Sequence, residues 1–239
     1  MIRADRAERV GIVLAGGRSS RMGTAKASLA WDGTTLLHRV VEAVGGAVDR
    51  VLVVRSLGQP LPALPHRVSV IDDDHPDRGP LQGMLAGLRA VEEADAVAFV
   101  CATDMPLLQP AFVARVLACL PPDTDAAVPR IEAACHPLAA AYRVCLAPEI
   151  ASMLEAGDRR LMGLLERSRV EWLDARRLLD DPKLASADPR LDSLLNLNTP
   201  SDYAAAQAIR ENGTTVPARP PSSSPSQASA VAPANEVIA

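Results

Sequence analysis

The sequence predicts an α/β fold: a mostly parallel sheet covered by helices on both faces. Three observations carry that prediction. Short runs such as residues 10–15 and 96–102 are apolar at every position, as strands buried on both faces are and half-wet strands are not. The stretches between such runs carry apolar residues at helical spacing, so strands and crossover helices alternate. The chain has 239 residues, 48% of them hydrophobic, enough for one domain with a sizeable core.

Taken in order, the strands fall at 10–15, 50–55, 68–72, 96–102, 125–129, 137–143 and 170–173. Leu36, Val40, Val41 and Val44 share one helical face, and so do Leu81, Met84, Leu85, Leu88 and Val91. Segments 110–119, 146–156, 159–167 and 201–210 also read as helices. Residues 1–9 form an N-terminal arm and 10–211 the domain. Residues 212–239, rich in Pro, Ser, Ala and Thr, read as a disordered tail.

Composition excludes several classes of function. With 29 acidic residues against 25 basic ones, the net charge is −4, which argues against a nucleic-acid binder. Two Trp, two Tyr and two Phe leave few stacking platforms. No apolar run approaches the roughly 18–20 residues of a membrane span. Residues 1–6 lack the apolar core of a secretory signal, so a cytoplasmic protein is expected. Cys101, Cys119, Cys135 and Cys145 form no C-x-x-C pair, which points to reduced thiols rather than to zinc or redox chemistry.

The densest chemical signal is Leu14-Ala15-Gly16-Gly17-Arg18-Ser19-Ser20-Arg21-Met22-Gly23-Thr24-Ala25-Lys26, directly after the first strand. Glycines let backbone N–H groups approach phosphate oxygens, because no Cβ stands in the way. The cations add charge-assisted hydrogen bonds. The loop is therefore built for an anion such as a nucleoside triphosphate. It is not a Walker A loop, since Gly17 and Gly23 are six apart and Lys26 does not directly follow Gly23. It is not the dinucleotide fingerprint either, since Gly16-Gly17 lacks the Gly-x-Gly spacing. Ligands of open α/β sheets sit beyond the carboxyl ends of the strands, where this loop lies.

Two further strand ends carry acids. Asp104 closes an apolar strand in Cys101-Ala102-Thr103-Asp104-Met105-Pro106. It is placed to hold a divalent cation such as Mg²⁺, which binds through one or two carboxylates plus phosphates. A turn or helix-cap aspartate is the equal alternative. Asp72-Asp73-Asp74 ends another strand ahead of Gly79-Pro80-Leu81-Gln82-Gly83-Met84, where Pro80 suits a first helical position. Asp72 and Asp74 read as solvated loop acids.

The glycine loop resembles the signature LAGG-x-S-x-RMG-x-x-K of the nucleotidyltransferases that handle molybdenum cofactor, with every fixed letter present. The resemblance is to the molybdenum cofactor guanylyltransferase family, and it implies a Rossmann-like nucleotidyltransferase fold. It further implies GTP at Leu14, Ala15, Gly16 and Gly17, with Lys26 on the phosphates and Arg21 beside it. Asp104 would be the Mg²⁺ ligand, and Asp73, from the acid upstream of GPL-x-GM, a nucleoside contact. Asn196-Leu197-Asn198-Thr199-Pro200 resembles the family's N-x-NTP motif and implies an acceptor cleft at Asn196 and Asn198. Thr199 or Ser201 as a plain helix cap remains the simpler account. His136-Pro137 and Gly157-Asp158-Arg159-Arg160-Leu161-Met162 match two more segments, implying acceptor contacts at His136, Arg159 and Arg160.

The implied reaction joins GMP from GTP to the terminal phosphate of Mo-molybdopterin and releases pyrophosphate. Molybdoenzymes or their chaperones would be partners. A cytidylyltransferase for the same cofactor, a transferase for another phosphorylated acceptor, and a non-catalytic nucleotide-binding partner stand as alternatives. Relatives that use CTP usually carry LAAG, where this chain has Gly16 and Gly17. The chain departs from the family at Val54, where Asn is common, at Ala102-Thr103, and in an insertion-like stretch from Leu178 to Leu195.

Overall fold

A computed structural model describes residues 7–16, 26–75 and 78–213. Its central sheet contains β1 (Arg9–Leu14), β4 (Arg50–Ser56), β5 (Val68–Asp73), β6 (Val97–Ala102), β7 (Ala126–Ile131), β9 (Ala139–Arg143) and β10 (Val170–Leu173), in the order β10-β7-β9-β6-β1-β4-β5. The short β8 (Ala134–Cys135) pairs with β7. A separate two-stranded hairpin joins β2 (Ala30–Trp31) to β3 (Thr34–Thr35). All seven long strands fall on the segments read as strands in the sequence. Strands β6, β1, β4 and β5 are mutually parallel, whereas β9 runs antiparallel to both β6 and β7.

Helices cover both faces, as the sequence predicts. On one side lie α1 (Leu36–Gly45), α3 (Pro110–Ala118), α6 (Ala175–Leu179) and α7 (Pro182–Ala187). On the other lie α2 (Pro80–Arg89), α4 (Ala147–Glu155) and α5 (Leu161–Arg167). Leu37, Val40, Val41 and Val44 of α1 are buried against Val13, Val51 and Val53. Leu81, Met84, Leu85 and Leu88 of α2 are buried against Ile12, Leu52 and Val54. Each such side chain contributes about 1.5–3 kcal/mol when fully removed from water.

Two glycines set how closely these layers approach. A Cβ on Gly11 of β1 would lie 2.1 Å from Val44 Cγ1 of α1. A Cβ on Gly87 of α2 would lie 2.6 Å from Ile12 Cγ2 of β1. Strand β1 is thus pressed between two helices, which fixes where Ala15 and Gly16 leave the sheet.

Helix starts follow the capping rules. Thr35 accepts the His38 N–H at 3.3 Å, Pro80 and Pro110 open their helices, and Asp181 accepts the N–H groups of Lys183 and Leu184 ahead of Pro182. The stretch from Leu178 to Leu195, read as an insertion, is structured: it holds the end of α6, all of α7 and the turn Asp192–Leu194. The last helix, α8 (Pro200–Gly213), packs with the hairpin in a small third core of Trp31, Leu36, Leu107, Leu197 and Ala206. Among the described residues, no helix is long and apolar enough to cross a membrane.

Candidate active site

The parallel strands deliver their carboxyl ends to one edge, where Leu14, Ala15, Gly16, Lys26, Asp104 and Asn198 come together. Leu14 is level with both Val54 and Ala102. The pairing then continues one residue further on each side. Ala15 N–H donates to Val54 O at 2.7 Å. Thr103 donates to Leu14 O from its N–H at 3.3 Å and from Oγ1 at 2.8 Å. These bonds hold Ala15-Gly16 beside Thr103-Asp104. Gly16 has a second reason to lack a side chain, since its Cβ would meet Ser56 Oγ at 3.2 Å and Ser56 N at 3.3 Å.

Lys26 opens a one-turn helix, Lys26–Ser28. Its ammonium donates to Asp104 Oδ2 at 2.7 Å and to Asn198 Oδ1 at 3.0 Å. Three segments far apart in sequence therefore meet at one nitrogen. The Asn198 turn is tied in by its backbone as well, with Leu197 N–H on Asp104 O at 2.9 Å. Asp104 lies in a turn and caps no helix, since α3 starts at Pro110 behind Gln109. Its Oδ1 is buried and has no hydrogen-bond partner among the described residues.

Leaving one oxygen of a buried carboxylate unpaired costs free energy, so the atom suits a cation brought in with a ligand. Among the described residues no three carboxylates, histidines or cysteines cluster as a metal cage. The donor set is a single carboxylate, which fits an ion whose remaining ligands are phosphate oxygens and water. The thiol of Cys101, buried behind the site, is pushed far above the ordinary thiol range by burial first and by the charge of Asp104 second. It is no nucleophile.

Strand alternation points Asp72 and Asp73 of β5 to different surroundings. Asp73 is buried, and its Oδ1 accepts the His75 N–H at 3.0 Å. Asp72 is exposed, as the sequence suggests, and also pairs with Arg55 Nε at 2.7 Å, and that guanidinium lowers its pKa. The reason is its place opposite Arg55 in the β4–β5 register. Asp74 is exposed.

Strand β9 enters the sheet from the same edge, with Ala139 level with Cys101. That direction brings His136 to this end of the molecule. His136 N–H donates to Pro129 O at 2.9 Å, and burial lowers the imidazole pKa. Arg159 and Arg160 precede α5 rather than lie in it, as a helix over 159–167 would require. Arg160 is held by both oxygens of Asp158 at 3.1 Å, while Arg159 is exposed. Asn196 is exposed as well. Thr199 is the cap of α8: its Oγ1 accepts the Asp202 N–H at 3.2 Å, and Asp202 accepts the N–H groups of Asn198 and Thr199. Gly17 and Arg21 lie outside the described residues.

Two contributors carry no expectation from the sequence. Gln59 bridges the loops after β1 and β4, donating to Ala15 O at 2.9 Å and accepting the Ser56 N–H at 3.1 Å. No spacing marks it. The β2–β3 hairpin after Lys26 does have a signal: Asp32-Gly33, both with positive φ, is the dipeptide of a two-residue type I′ turn.

The family model that matches this chain describes a MobA-like NTP transferase domain, over residues 11–172. The chain belongs to that family. This MobA-like chain is therefore a nucleotidyltransferase. It is 42% identical, over 70% of its length and 86% of the relative's, to a protein of Mycobacterium tuberculosis (strain H37Rv) named probable molybdenum cofactor guanylyltransferase. Its fold matches molybdopterin-guanine dinucleotide biosynthesis protein A from Archaeoglobus fulgidus with a TM-score of 0.67 and 26% identity, covering 84% of this chain and 98% of the other. It also matches a Mycobacterium tuberculosis protein described as a complex with manganese, with a TM-score of 0.56 over 84% and 98% of the two chains. At 20% identity that match speaks for the fold alone. The matched family span ends at Trp172, so Asn198 and α8 of the MobA-like chain lie beyond it.

Proposed function

We propose that the chain transfers GMP from GTP to the terminal phosphate of Mo-molybdopterin, forming the guanine dinucleotide and releasing pyrophosphate. The observation that carries this reading is the meeting of Lys26, Asp104 and Asn198 at the carboxyl edge of the sheet, with Asp104 Oδ1 without a partner among the described residues. The names of the mycobacterial and archaeal relatives supply the guanine and the acceptor.

In this reading the triphosphate lies against Leu14, Ala15, Gly16 and Gly17. Lys26 turns from Asp104 toward the phosphates, with Arg21 alongside. Asp104 would hold Mg²⁺, which would supply charge neutralisation to the phosphates. Asp73 meets the nucleoside. Asn196, Asn198, His136, Arg159 and Arg160 line the acceptor side. The acceptor phosphate is already an anion, so an oxygen of it attacks the α-phosphorus without a protein base. The bond to the bridging oxygen breaks, and pyrophosphate leaves. Catalysis then rests on in-line positioning and on charge neutralisation. Burial keeps His136 neutral, suited to a hydrogen bond rather than to a charge contact. The product passes to molybdoenzymes or their chaperones.

The decisive experiment measures pyrophosphate release by the purified protein with Mg²⁺ and Mo-molybdopterin, comparing GTP, CTP, ATP and UTP. Release with GTP alone is expected. Release with CTP would overturn the choice of base, and silence with all four would overturn the reaction.

A further inference from the structure

Lys26 draws one of its two acceptors from outside the matched family span, and the same outside segment grips the hairpin that carries the lysine. From this we infer that α8 is a positioning element for Lys26, acting through Tyr203 and Arg210. The inference rests on the proposed role of Lys26 in binding the triphosphate.

The backbone of Lys26 hangs on the hairpin. Leu29 N–H donates to Lys26 O at 3.2 Å, and Leu36 N–H donates to Leu29 O at 2.9 Å. The short path from Lys26 to β2 therefore has little freedom once the hairpin is fixed. Helix α8 fixes it at three points. The Tyr203 hydroxyl donates to Ala30 O. The Tyr203 ring stands edge-on to Trp31, with centroids 5.4 Å apart and planes at 88°. The Arg210 guanidinium lies 5.9 Å from the centre of the Trp31 ring and pairs with Asp32. Edge-to-face rings and a cation over an indole are favourable beyond their buried area.

The other end of α8 holds the lysine's tip. Asp202 takes the N–H groups of Asn198 and Thr199 at 2.9 and 2.8 Å, which freezes the turn presenting Asn198 Oδ1 to the ammonium. A lysine has a flexible four-carbon stem, so its head stays in place only when both its base and its tip are held. One helix supplies both restraints, and the third core, with Leu107 from the Asp104 limb and Leu197 from the turn, ties them to the carboxylate.

The test is a double-mutant cycle on GTP affinity, measured by calorimetry with Mg²⁺ for Tyr203→Phe, Arg210→Ala, Lys26→Met and the two doubles. Tyr203→Phe removes only the hydroxyl and keeps the ring on Trp31, so it reads the hinge even if Arg210→Ala folds poorly. Each of these two single changes is expected to weaken GTP by about threefold to tenfold, the range of one lost hydrogen bond or cation–ring contact. In the Lys26→Met background neither is expected to weaken it further, because residues acting through one group do not add. Losses that persist in that background, or singles that bind GTP like wild type, overturn the inference. A wild-type chain that binds no GTP overturns the proposed function and this inference with it, whereas bound GTP with additive losses overturns the inference alone.

Discussion

At the level of single residues, the site is a problem in charge placement. Asp104 has a cation on one oxygen and, among the described residues, no hydrogen-bond partner on the other. Asp104→Ala should leave the fold intact, since Lys26 keeps Asn198, yet turnover should drop by about 100-fold to 1000-fold, the cost of one preorganised charge group. Pyrophosphate release and a melting curve on the same variant check this, and normal rates would remove Asp104 from the mechanism. His136 makes a pH prediction. Burial holds its pKa below the ordinary 6.5, so below about pH 6.5 the unfolded chain takes up a proton that the folded chain refuses. Stability should therefore fall as pH drops through that range and be fully present above it. His136→Gln should flatten the decline in melting temperature between pH 7 and 5.5. Lys26 and Asp104 were legible in the sequence because each sits in a motif at the end of an apolar strand. The contact between Lys26 and Asn198, 172 residues apart, was legible only as two motifs implied by one family. Gln59 was not legible, because a lone glutamine in a loop carries no spacing.

Among the elements, the glycines on β1 and α2 govern the layers. Gly87→Ala pushes a methyl to 2.6 Å from Ile12 Cγ2 and should cost about 1–3 kcal/mol as overpacking. Gly45→Ala, at the end of α1 with only Val51 Cγ2 in ordinary contact at 3.6 Å, should be neutral or stabilising by up to about 1 kcal/mol. Urea unfolding of both variants tests the pair, and equal effects would show that layer spacing does not matter. Strands β1, β4 and β6 were readable because burial on both faces leaves continuous apolar runs, whereas the edge strands β5 and β10 are only partly buried. Strands β2, β3 and β8 have two residues each, too few for any period. The direction of β9 was hidden, since an apolar run has the same composition in either direction. Helices α6 and α7 were passed over although Asp174 and Asp181 cap them, because five and six residues give barely one helical repeat.

For the whole molecule, the sheet separates two groups of loops. The loops after β1, β4 and β5 lie to one side of β6, and the segments bearing His136, Arg159 and Arg160 belong to strands and helices on the other. Arg159→Ala should raise the KM for the phosphorylated acceptor and leave GTP affinity unchanged. Steady-state kinetics with calorimetry decides this, and equal losses for both ligands would refute the division. The reversed strand β9 gives this division a long-term consequence. Because β9 runs back between β6 and β7, the segment 132–138, which includes β8, lies at the carboxyl edge of the parallel strands while β7 and β9 on either side of it stay paired in the sheet. Lineages could lengthen or rewrite that segment to accept a different phosphate ester without disturbing the half proposed to bind the triphosphate, so one scaffold could be retuned by changes in a single short stretch.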